Sequence, residues 1–175
     1  HFINTDLNRC AEVVAQIGEM ATRTRNDKAF GYYHSGLGRV HYRNSRFEAA
    51  KVQFEKAINF AQAAGDVRLE SNCYHSLGMT YLQLGLLEQS LEVSLKALDF
   101  FADDDKTGNK AMCYNSIGNI HERLGDYDKA EEAYMQGMGI LKTLGEKRML
   151  YNIMGSLGLI KIRKKEFQKA IDYLK

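Results

Sequence analysis

The chain has 175 residues, the length of one domain or of a short array of small units. It carries 15 glycines and no proline, where average usage would give about nine prolines, which excludes a proline-rich linker, collagen and most loop-heavy all-β designs and favours helices joined by short turns. With 24 Lys+Arg against 22 Asp+Glu the net charge is +2, far from the basic excess of a general nucleic-acid binder, and no apolar run approaches the ~20 residues of a membrane span.

Taken in chain order, residues 5–24 place Leu7, Cys10, Val14 and Ile17 at helical spacing. Further helices are predicted over 27–43, 47–63, 67–83, 87–102, 107–123, 127–143, 147–163 and from 167 onward. The connections are short. In Leu124-Gly125-Asp126 the glycine suits a left-handed helix end and the aspartate suits the next N-cap. The start, His1-Phe2-Ile3-Asn4, has no initiator Met and no signal-like region. The last residues, Ile171-Asp172-Tyr173-Leu174-Lys175, stop inside a helical pattern, so the chain reads as an excised fragment. Three cysteines, Cys10, Cys73 and Cys113, form no CxxC pair and read as reduced, packed thiols in a cytoplasmic setting.

Laid over itself, the sequence repeats at an offset of 40. Gly38, Gly78, Gly118 and Gly158 mark the period, preceded by Leu37, Leu77, Ile117 and Leu157. Phe47, Leu87, Tyr127 and Phe167 form a second column, and Ala50, Ser90, Ala130 and Ala170 a small-residue column. Phe54, Ser94, Tyr134 and Leu174 form a mostly bulky one. Gly85 and Gly125 share a turn column with Ser45 and Lys165, and Gly65 and Gly145 share another with Asp105. Eight of the 15 glycines thus serve three repeated positions. The period divides a single array over 1–175 into a half repeat (5–24), three full repeats (27–66, 67–106 and 107–146) and a truncated one (147–175). Each unit reads as two antiparallel helices that need their neighbours to cover their apolar faces. Gly118 and Ala130 let facing helices approach while Ile117 and Tyr134 fill the space around them.

These columns resemble tetratricopeptide (TPR) repeats. The unit with Tyr114, Ile117, Gly118, His121, Gly125, Tyr127, Ala130 and Tyr134 follows the family pattern well, and the unit with Met154, Lys161 and Lys165 departs from it most. The usual TPR unit has 34 residues and a proline near its end. Here the unit has 40 and no proline, as in Pins-type adaptors, kinesin light chains and bacterial TPR signalling proteins. The resemblance implies an all-α fold, a right-handed α-solenoid superhelix of antiparallel helix pairs, whose inner groove is lined by the first helices.

Carried over position by position, the groove columns are Tyr32, Asn72, Met112 and Asn152; Ser35, His75, Asn115 and Gly155; Arg39, Met79, Asn119 and Leu159; Tyr42, Leu82, Glu122 and Ile162; and Arg43, Gln83, Arg123 and Arg163. The candidate groove residues are Arg39, Tyr42, Arg43, Asn72, His75, Met79, Gln83, Asn115, Asn119, Glu122, Arg123, Asn152 and Arg163. The arginines favour a partner segment with acidic residues, because a guanidinium pairs a carboxylate in bidentate fashion. Asn115 and Asn119 suit a peptide backbone, since an amide both donates and accepts. Arginines at a helix end are equally at home there through the helix dipole and solvation. The lysine of the chaperone-tail clamp is missing, which speaks against a chaperone C-terminus as ligand.

Enzyme signals fail one by one. Asp103-Asp104-Asp105-Lys106-Thr107-Gly108 resembles the start of a calcium loop, but the twelfth position is Tyr114, where a glutamate is needed. No phosphate-binding loop, HExxH or zinc spacing occurs. His41 and His121 share a column with Tyr81 and read as packing residues. The expectation is a protein-protein interaction module without cofactor, metal, membrane or nucleic-acid partner. Two alternatives remain open: a sensory or regulatory part of a bacterial signalling protein whose effector lies outside this fragment, and a self-association domain using the open solenoid ends.

Overall fold

The computed structural model describes residues 2–102 and 108–174, with side chains from Arg9 onward. Leu7 lies before those side chains, and the acidic stretch from Asp103 to Thr107, with its turn position Asp105, lies outside the described residues. All regular structure among the described residues is α-helical: α1 (Phe2–Thr24), α2 (Asp27–Arg43), α3 (Phe47–Ala63), α4 (Val67–Leu84), α5 (Leu87–Phe100), α6 (Asn109–Leu124), α7 (Tyr127–Leu144), α8 (Lys147–Arg163) and α9 (Phe167–Leu174). They fall into two compact units, His1–Val93 and Ser94–Lys175, divided within α5.

In the first unit α2 packs on α1 and α3, and α4 packs on α3 and touches α2. Its core joins Ala50, Phe54, Ala57, Ile58 and Ala61 of α3 to Leu69, Cys73 and Leu77 of α4. These α3 positions step by 4, 3, 1 and 3 residues, which puts them on one helical face. In the second unit α7 packs on α6 and α8, and α9 on α8. Ala130, Tyr134 and Leu141 of α7 meet Ile153, Leu157 and Ile160 of α8 and Ala111 of α6.

The glycine column that marks the period works by close approach. A Cβ at Gly118 would meet the Tyr134 ring at 2.5 Å, one at Gly38 the Phe54 ring at 2.7 Å, and one at Gly158 the Leu174 side chain at 2.8 Å. In each pair the bulky residue of the second helix occupies the volume that the glycine of the first helix leaves empty.

The turns share one geometry. At the end of α6 the Gly125 N–H donates to Glu122 O at 3.0 Å and the Asp126 N–H to His121 O at 2.9 Å, the double bond of a Schellman motif. Asp126 then caps α7 by accepting from the Lys129 N–H, as Asp66 does from Leu69 and Asn26 from Ala29. The motif needs a left-handed residue, and Gly65, Gly85, Gly125 and Gly145 supply it with φ between 63° and 79°. Arg25, Ser45 and Lys165 hold the same conformation at φ 49°, 57° and 61°, where a side chain costs roughly 1–2 kcal/mol. Glycine at Ser45 or Lys165 is therefore expected to stabilise the chain by up to about 1 kcal/mol each, after the larger unfolded-state entropy of glycine is subtracted. Urea denaturation of Ser45→Gly measures it; a loss of stability would show that the hydroxyl or its neighbours hold that turn.

Cys73 and Cys113 are buried, and burial pushes their thiols up to about 11 and about 12. Cys10 corrects the expectation of three packed thiols: it is exposed on α1.

Candidate peptide-binding groove

In the first unit the groove columns converge. Arg39, Tyr42 and Arg43 sit on the last turns of α2, at spacings of three and four that share one face. His75, Ser76 and Met79 lie on the neighbouring face of α4. With Phe54 of α3 they line a cleft of about 220 Å³. Five of the candidate residues thus line one cavity: Arg39, Tyr42, Arg43, His75 and Met79. Asn72 and Gln83 continue the same face of α4, exposed, one turn to either side. Leu82 departs from its column by turning into the interior.

Both arginines are exposed, and no acidic residue is among the cleft's lining. His75 holds its Nδ1 buried with no hydrogen-bond partner, and burial keeps its pKa below the ordinary histidine value. A second cleft, of about 550 Å³, lies between α1 and α2. Arg39 and Arg43 line it too, together with Arg9, Val13, Val14, Ile17 and Val40.

In the second unit the tyrosine of the bulky column reaches the groove column. The Tyr134 hydroxyl donates to Asn119 Oδ1 at 2.6 Å, with Glu122 Oε2 at 3.1 Å from it. Burial and the Glu122 charge push the tyrosine pKa far up, so the hydroxyl stays protonated and donating. Asn119 and Glu122 therefore position Tyr134 from the half-buried edge of α6, which leaves the Asn119 amide N–H₂ as the group to offer a ligand. Asn115 is half-buried one turn before Asn119, while Arg123, Asn152 and Arg163 are exposed. His41 and His121 are half-buried. The His121 Nδ1 has no hydrogen-bond partner, and burial lowers its pKa.

The column reading missed one cluster. Lys161, in the column of His41, Tyr81 and His121, is buried and bonds Glu131 of α7 and Glu166 of the α8–α9 turn. Lys164 bonds Asp128 at 2.6 Å and Glu131 at 3.0 Å. A lysine in an aromatic column was the available signal; its acidic partners stand 30 and 5 residues away. Among the described residues, no group of three or more His, Cys, Asp or Glu is arranged to hold a metal ion, and no helix is long and apolar enough to cross a membrane.

Helical hairpins with a Leu-Gly column, bulky second-helix side chains packed on its glycines and left-handed turns define a helical-repeat protein. Residues 30–103 and 72–143 match the tetratricopeptide repeat family model, and the chain belongs to that family. Anaphase-promoting complex subunit 3 of Schizosaccharomyces pombe is 32% identical over 108 residues, which are 62% of this chain and 14% of that protein. The chain thus corresponds to a small part of that relative. Among solved structures, the apo form of RapI superposes with a TM-score of 0.85 at 14% identity, covering 98% of this chain and 63% of that one. The Rap conjugation gene regulator of plasmid pLS20 in complex with a Phr peptide gives 0.71 at 18% identity, covering 82% and 40%. At these identities the likeness is one of fold.

Proposed function

We propose that this chain is a protein-protein interaction module that holds a peptide segment carrying acidic residues on the exposed face of the first helices within one unit. The observation that carries this reading is the cleft between α2 and α4, floored by Phe54 and Met79 and edged by two arginines, with no acidic residue in its lining. Preformed helices lower the ordering cost of binding, and guanidinium groups give a carboxylate paired, directional hydrogen bonds. That a regulator of similar fold is solved with a peptide supports the same reading. The chain acts as a scaffold rather than an enzyme, in the cytoplasm.

Panning a displayed library of random dodecapeptides on the full chain tests this. Acidic sequences are expected to be enriched, and no enrichment at all would remove the reading. Reversing the exposed arginines of one unit at a time, Arg39→Glu/Arg43→Glu or Arg123→Glu/Arg163→Glu, is expected to leave the thermal midpoint unchanged, and one of the two pairs is expected to weaken an acidic binder at least tenfold. An acidic binder indifferent to both reversals would remove the arginines from the site.

A further inference from the structure

Arg39 and Arg43 stand one helical turn apart on α2. Like charges at that spacing work against a helix, and among the described residues neither guanidinium forms an ion pair. Two of the three lysines of the same unit are matched: Lys28 with Asp66, and Lys51 with Glu48. The unmatched pair is also the ridge between two clefts, since both arginines line the α2/α4 cavity and the α1/α2 cavity. Each cleft has an apolar part, Phe54 and Met79 in one and Val13, Val14, Ile17 and Val40 in the other.

We propose that this ridge seats an internal peptide segment of apolar–acidic–apolar pattern, its carboxylate side chain on Arg39 and Arg43 and its two apolar side chains in the flanking clefts. The inference rests on the peptide-binding reading above and gives it a sequence class. Size agrees: a cavity of about 150 Å³ takes a benzene ring, so the 220 Å³ cleft admits one aromatic or branched aliphatic side chain. The space on both sides of the arginines lets a chain run across them, which favours a side-chain carboxylate over a chain terminus. The His75 ring also lines this cleft. Burial keeps the imidazole neutral at pH 7, so it adds no third positive charge beside the arginines.

The test uses dodecapeptides panned on the full chain, remade with acetylated and amidated ends. Enriched sequences are expected to carry an Asp or Glu with a large apolar residue within two positions on each side. Changing that acid to its amide is expected to weaken binding at least tenfold by fluorescence polarisation. The same change should have no further effect on the Arg39→Glu/Arg43→Glu variant, and should keep its full effect on Arg123→Glu/Arg163→Glu. Val13→Glu, at an exposed position of the α1/α2 cleft, should also weaken the peptide. If instead the amide effect vanishes on the second variant and persists on the first, peptide binding stands and this seat is wrong. A requirement for a free C-terminal carboxylate would overturn the internal segment. Failure to enrich any peptide would remove both readings together.

Discussion

Gly118→Leu is expected to destabilise the chain by about 3 kcal/mol, the upper end of ordinary overpacking, and even Gly118→Ala should be harmful. In the middle of a helix alanine normally stabilises by about 1 kcal/mol over glycine. At Gly118 a Cβ would lie 2.5, 2.6 and 2.9 Å from Cε1, Cδ1 and Cζ of Tyr134, all well inside normal contact. The ring is fully buried, and its hydroxyl is anchored on Asn119. Moving it aside breaks that bond and opens a void in the core. Gly139 in α7 supplies the control, because a Cβ there meets nothing within 4 Å. Gly139→Ala should therefore gain the ordinary ~1 kcal/mol. Urea denaturation of the two alanine variants should move the midpoints in opposite directions. If both gain, Tyr134 is freer than its contacts show, and the glycine column is no packing device.

The helices were largely legible in the sequence, because the 40-residue offset samples each structural position up to four times. The limits of α2, α3 and α8 coincide with the expectation, and those of α4 and α7 agree within one residue. The α5 helix ends at Phe100, two residues early. The turn columns were visible wherever glycine filled them, and Arg25, 40 residues before Gly65, carries the same left-handed backbone into the α1–α2 turn. What periodicity could not reach was the pairing of polar atoms. Asn119 and Glu122 stood in groove columns, yet both meet the hydroxyl of Tyr134, which lies 15 and 12 residues along the chain. A column says which face a residue occupies, and the tip of a long side chain from the next helix can reach that same face. Cys10 failed for the converse reason: its column is buried elsewhere, at Ala50 and Ala130, but on α1 it borders an open cleft.

Lys161→Ala is expected to cost about 2 kcal/mol, less than the 3–5 typical of breaking a fully buried ion pair, because Lys164 still faces Glu131. Burial by itself would draw the Lys161 ammonium toward its neutral form, and hydrogen bonds to Glu131 and Glu166 more than offset that, so its pKa stands above the usual lysine value. The carboxylate side carries the pH dependence. Hydrogen bonds from Lys169 and then Lys161 hold Glu166 at about 2 against a usual 4.5. Glu131 is also lowered: burial opposes its charge, and the two lysines prevail. A carboxylate with a depressed folded pKa stabilises the fold above its unfolded value and loses that contribution as pH falls toward the folded one. The charge-dependent part of the gap between wild type and Lys161→Met should thus be constant from pH 7 to about 4.5 and shrink toward pH 2. Methionine keeps most of the lysine stem, so the comparison isolates the ammonium from the packing. Denaturation at pH 7, 4.5 and 2.5 decides between the two. A gap that shrinks over the acid range assigns Lys161 to the ion cluster, and a gap that stays level assigns it to packing. The former would explain why a lysine serves in a column that holds His41, Tyr81 and His121 in the other repeats: here the helix face meets Glu131, and a cation is the side chain that leaves neither group buried without its partner.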